Sequence, residues 1–159
     1  MKLFNIVVGL MLTTQGLIAS EATVSIVLNP MGSFKGKTSE VKGFAVKKGD
    51  EVSAENIVVN LKSLKTGIEL RDKHTQKHLQ TDKFPDAVLV SATGKNNIGK
   101  GKIKIKGIEK EIKGTYKIIG NSLQAEFKLK LEDFEIKDIN YMGVGVEDDV
   151  TLAVNIPIK

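Results

Sequence analysis

The sequence contains no cysteine and no tryptophan, and it has only three prolines, two histidines, six phenylalanines and two tyrosines. Without cysteine there is no disulfide framework, no thiolate metal site and no cysteine nucleophile. No serine stands in a nucleophile-elbow context and no glycine-rich loop is placed to cradle a phosphate. The acidic pairs Glu132-Asp133 and Asp148-Asp149 read as strand-end and turn acids rather than as a catalytic carboxylate pair. These absences point away from an enzyme. Outward strand positions lack the aromatics that a nucleic-acid surface interleaves with its cations, so no nucleic-acid partner is expected.

What is present is a chain of 159 residues with fifteen glycines and a formal net charge of +5, the size of one domain with its own core. Its opening, Met1 to Ala22, carries one lysine, an apolar run from Leu3 to Leu12, and the small residues Ser20-Glu21-Ala22. This reads as a secretory signal peptide cleaved after Ala22. The polar interruption at Thr13 to Gln15 leaves the run well short of the ~20 apolar residues that cross a bilayer. A leader over residues 1–22, a single domain over 23–159 and a periplasmic destination are the expectations.

From Thr23 onward, apolar residues alternate with lysines and small polar residues at the period of a strand. Ile103, Ile105, Ile112, Tyr116 and Ile118 oppose Lys102, Lys104, Lys106, Lys113 and Lys117. Leu123, Ala125, Phe127, Leu129 and Leu131 oppose Gln124, Glu126, Lys128 and Lys130, and Val150 to Ile158 repeats the pattern. One face is dry and the other wet. Seven to nine antiparallel strands with tight turns are expected, with Gly36 and Gly43 as bends. Closing them into a barrel removes the edges that long strands would otherwise expose. Such a barrel of about eight strands encloses either packed side chains or one small ligand. Its inward residues are mostly aliphatic, with Phe127, Tyr116 and Phe134 as the large fillers. Ile105, Tyr116, Ala125, Phe127 and Leu129 are the positions expected to line an apolar interior.

One stretch breaks this rhythm. In Ser63 to Pro85, Ile68, Arg71, Leu79 and Phe84 fall at irregular, roughly helical intervals, and Pro85 disfavours helix just before it. A short helix near residues 67–80 is expected to cap an opening. Arg71 would either present its guanidinium to a phosphate, quinone oxygen or carboxyl head group, or tie the helix to a strand end or to a carboxylate such as Asp86. His74 and His78, four residues apart, share a helix face; they line the mouth, or with a third ligand such as Asp72, Asp82 or Asp86 they hold a metal.

The order SLKTG, LRDKH, HL and KFPDA between Leu61 and Ala87, then GKIKIKGIEKEI, then DFEIKDINYMGVGVEDDVTLAVNIPI, resembles the YceI-like family of secreted lipid-binding proteins. The resemblance covers nearly the whole mature chain. It lacks the family's usual N-terminal opening, and His78 stands where a tyrosine is typical of one subfamily. It implies an all-β, extended, antiparallel, eight-stranded, lipocalin-like β-barrel with one short inserted helix. It also implies a carrier of an isoprenoid lipid or fatty-acid-like amphiphile, with Arg71, His74, His78, Leu79 and Phe84 near the ligand at the mouth. No cofactor is expected beyond such a lipid, and no resident metal. Transient contact with a membrane surface is expected, and the oligomeric state is open, a homodimer included. The alternative function is a histidine-dependent metal-binding or stress-protective protein with a filled barrel.

Overall fold

The structure is a computed structural model that describes residues 19–159. The expected leader up to residue 18 lies outside the described residues. Glu21 and Ala22, assigned to the leader by their small-residue pattern, are strand residues: Ala22 pairs with both Val154 and Thr38. The first strand therefore starts at Glu21 rather than Thr23, because the alternation that carries Val24 and Ile26 inward continues back through Ala22.

Twelve strands, one helix and a 3-10 turn follow one another: β1 (Glu21–Asn29), β2 (Ser33–Thr38), β3 (Val41–Lys42), β4 (Ala45–Lys48), β5 (Glu51–Asn60), α1 (Glu69–Leu79), β6 (Asp86–Lys95), β7 (Ile98–Ile105), β8 (Ile108–Ile119), β9 (Ser122–Lys130), the turn Leu131–Phe134, β10 (Asn140–Tyr141), β11 (Val144–Val146) and β12 (Asp149–Pro157). Every strand pairing is antiparallel. Hairpins β6–β7 and β7–β8 turn on the two-residue loops Asn96-Asn97 and Lys106-Gly107, all four residues at positive φ. Both loops have the twist that matches a right-handed strand pair.

Hydrogen bonding orders the sheet β10-β11-β1-β12-β9-β8-β7-β6-β5-β3, with β2 added on β1 and β4 on β5. β2, β3 and β4 are successive pieces of one segment, residues 33–48. Its first piece pairs with β1 and its last two with β5, so the chain itself joins the two sides of the ring. Counting that segment as one bent strand, the ring has the eight members expected: β1, the segment, β5, β6, β7, β8, β9 and β12. The expectation of a closed barrel is corrected in one respect. The ladder is interrupted where the segment changes partner, because a strand that serves two neighbours must bend between them. Isolated bridges, Lys37 with Lys65 and Ala45 with Ile158, stitch the seam.

The partner changes at Ser39-Glu40, between β2 and β3, and Gly43 interrupts the segment again between β3 and β4, where its pairing with β5 slips by one residue. Gly43 sits at φ +121°, and a Cβ there would lie 2.5 Å from Cδ1 of Ile57, a side chain that is itself fully buried. A second irregularity, unforeseen in the alternation, lies in β5 and β6. Asn56 has φ 50° and the β6–β7 register shifts between Leu89 and Ser91. These bulges let Val52 and Ala54 face inward on one side and Ile57 and Val59 on the other. Of the expected inward residues, Ile118 alone is exposed, at the end of β8. Two apolar clusters result, one around Ile103, Leu129, Phe134 and Val150, the other around Ala45, Val52, Ile57 and Ile156.

Gly43→Ala should lower the unfolding free energy by about 1–3 kcal/mol, because it combines a strained φ with overpacking. Gly49→Ala, at positive φ but with nothing within 4 Å of the added carbon, should cost clearly less in the same urea titration. Equal losses would show that the contact with Ile57 plays no part.

Candidate functional site: an apolar tunnel under helix α1

The helix forms where the break in alternation placed it, over Glu69–Leu79 within the expected 67–80. Its N-cap, Ile68, has no capping side chain. Asp72 supplies the anchor instead. Its carboxylate accepts from the Thr66 backbone N–H at 2.7 Å and from the Thr66 hydroxyl at 2.6 Å, with Lys65 4.0 Å away. At the other end Gln76 Nε2 donates to the Lys62 carbonyl at 3.1 Å, and Gln80 closes the helix in the left-handed conformation. The helix is thus tied at both ends to the loop leaving β5.

Arg71, His74, Thr75 and His78 recur at the spacing of one helix face, and all four line an apolar hollow of about 530 Å³ between α1, β1 and the β10–β11 hairpin. This explains the irregular sequence signal. The helix carries no apolar stripe because its inner face looks into a cavity. A second hollow of about 130 Å³ shares Val24, Leu79 and Val150 with the first, and is lined further in by Ile105, Phe127 and Leu129. A third, of about 80 Å³, shares Leu89, Phe127 and Val154 with the second, and includes Ala125 and Tyr116. The three follow one another along the barrel interior, each sharing walls with the next. Tyr116 lies across Gly94 at its far end, where a Cβ on that glycine would meet the ring at 2.4 Å.

Nine of the ten expected ligand-site residues line these three hollows: Arg71, His74, His78 and Leu79 the first, Leu79, Ile105, Phe127 and Leu129 the second, Tyr116, Ala125 and Phe127 the third. Phe84 does not. It packs against Gly107 in the β7–β8 turn, with the Lys83 ammonium 5.4 Å from its ring. Alternation could not show that Phe34 of β2, or Tyr141, Met142 and Val144 of the β10–β11 hairpin, would complete the mouth. The signal was there in Tyr141-Met142, a pair of large apolar residues at a hairpin turn, 52% and 85% exposed.

The electrostatics of the mouth are one-sided. Arg71 Nη2 donates to the Thr66 carbonyl at 2.7 Å, so the arginine ties the helix to a backbone oxygen and not to Asp86. Its guanidinium lies 4.1 Å over the Phe34 ring, and its buried Nε has no partner among the described residues. His74 meets Tyr141 edge-on at 5.0 Å, linking helix to hairpin. Burial, reinforced by the charges of His74, Lys77 and Lys106, pushes His78 below the usual histidine range. Among the described residues no three His, Asp or Glu side chains cluster as metal ligands.

The YceI-like domain model matches residues 17–158. The chain belongs to the YceI-like family. Two solved structures share its fold. One is BcnA of Burkholderia cenocepacia, with a TM-score of 0.64 and 16% identity over 84% of this chain and 94% of that one. The other is a polyisoprenoid-binding domain from Saccharophagus degradans implicated in plant cell wall breakdown, with a TM-score of 0.58 and 12% identity over 87% and 92%. Among curated proteins nothing matches. In this YceI-like protein the antiparallel strands and the inserted helix are those the sequence led one to expect.

The Thr66 hydroxyl holds the Asp72 carboxyl below the usual carboxylate range against the opposing effect of burial. A depressed carboxylate stabilises the fold above its unfolded pKa and loses that contribution as pH falls through the folded value. Asp72→Ala should therefore cost roughly 1.5–3 kcal/mol at neutral pH, the scale of hydrogen bonds to a charge. The gap between the variant and the parent in urea unfolding should begin to narrow once the pH falls below the unperturbed Asp value of about 3.9 and go on narrowing with further acidification. A gap that persists unchanged there would show that the charge is not what anchors the helix.

Proposed function

We propose that this protein is a secreted carrier, not an enzyme, that holds one long-chain amphiphile, an isoprenoid lipid or a fatty-acid-like molecule. The tail lies in the barrel and the polar end under α1. The succession of apolar hollows carries this reading. The mouth hollow alone falls within the ~300–1,000 Å³ of ordinary ligand sites, and Arg71, His74 and His78 gather there on one helix face. Family membership and a structural neighbour described as polyisoprenoid-binding support the same class of ligand.

Export to the periplasm fits the apolar start of the sequence and a fold that needs no disulfide. No helix among the described residues is long and apolar enough to cross a membrane. Transient contact with a lipid surface fits the mouth itself, where Ile68, Leu70, Tyr141, Met142 and Val144 are 40–85% exposed and continue inward as cavity wall. N-terminal sequencing of the exported protein is expected to begin between Glu21 and Thr23; an intact Met1 in the soluble periplasmic fraction would contradict export by cleavage.

Tunnel length is testable at its far end. Ala125→Phe adds a ring where the last hollow sits, so it should reduce affinity for the longest alkyl chains while leaving short ones unaffected. Binding of a homologous series of fatty acids to parent and variant, followed by tryptophan-free fluorescence displacement, reads this directly. In a filled core the same change costs about 1–3 kcal/mol, so a large fall in melting temperature with an unaltered chain-length profile would refute the tunnel.

A further inference from the structure

The mouth hollow is walled by twenty residues, of which Arg71, His74 and His78 are the cationic or potentially cationic ones and none is acidic. The neighbouring carboxylate that might have compensated Arg71 is turned away, since Asp72 is occupied by Thr66 and Lys65. A half-buried guanidinium, stacked on Phe34 and left with a buried, unpartnered Nε, is costly unless something completes its bonding. Its one protein acceptor is a neutral carbonyl, that of Thr66. Arg71 therefore has no carboxylate in hydrogen-bond contact, Asp72 acting on it only through space, and it stands as a donor at the polar end of the mouth hollow.

We infer that the head group received under α1 is an anion, a phosphate or a carboxylate, and that Arg71 selects it over a neutral alcohol or quinone end. This rests on the carrier reading and narrows it to one class of lipid. A guanidinium binds such an oxyanion through charge-assisted and often paired hydrogen bonds. His74 and His78, one and two helical turns further along the same face, stand beside the site and supply N–H donors to the remaining oxygens. A neutral oxygen also accepts from the guanidinium, but it brings no opposite charge and no second paired oxygen, so it lacks the ion-pair and bidentate contributions.

Three ligands with one saturated tail separate head from chain: hexadecyl phosphate, palmitate and hexadecanol, each titrated calorimetrically into the full protein at neutral pH. The parent should bind the phosphate and the carboxylate about tenfold or more tightly than the alcohol, and whichever anion binds tighter identifies the head group. Arg71→Met should bring the anions down to the level of the alcohol and leave the alcohol unchanged, while Arg71→Lys should restore part of the preference. Equal binding of all three by the parent overturns the inference and leaves the carrier intact. So does an Arg71→Met protein that loses all three alike with a lowered melting temperature, because the arginine would then be structural. If the parent binds none of the three, the carrier reading falls and this one with it.

Discussion

A ring of strands closes only if some stretch of chain pairs on both sides of the gap, and here residues 33–48 do so by bending. β2 lies on β1, β3 and β4 lie on β5, and the chain passes from one neighbour to the other at Ser39-Glu40. Everything else depends on that bend. Without it β1 and β5 would be the edges of an open sheet, and the inward faces of β6 to β9 and β12 would have nothing to face. With it, the edges are confined to one interrupted seam and to the short β10–β11 hairpin.

What the closed ring encloses follows from the size of its residues. The interior is built largely of Val, Ile, Leu and Ala, and among the described residues the one fully buried phenylalanine, Phe134, belongs to the turn after β9 and packs in one cluster. Between these aliphatic walls hollows remain. The helix then covers the first of them with arginine and histidines instead of more hydrocarbon. A filled barrel would call for an apolar helix face there, and the chain does not supply one.

Much of this could be read before any coordinates. The strict alternation of β7, β8, β9 and β12 put Ile105, Ala125, Phe127 and Leu129 on the inside, and the break between Ser63 and Pro85 located the helix because its spacing fitted no strand. The rest depended on contacts between distant segments. Phe84 is expected at the mouth, in the extended exit from the helix, but it follows the helix's left-handed cap at Gln80, and that reversal sends it to the β7–β8 turn. The change of phase at Asn56 and Val90 is a paired irregularity in two strands, invisible in either alone. Phe34 reads as one more alternating residue, and only the fold sets it beneath Arg71.

The pairing of β1 with β12 has a consequence for how the molecule comes to exist. Glu21 to Ser25 lie against Thr151 to Asn155, so the first strand finds one of its two ring neighbours only in the last. Contacts this distant in sequence make folding slow, because the loop between them must be closed before the pairing rewards it. A chain delivered from its N-terminus onward carries the apolar faces of β1 and of the central strands unpaired until its final strand arrives. Its most exposed moment is therefore the interval before completion, when the surface destined to hold a greasy guest is open to every other partner in its surroundings.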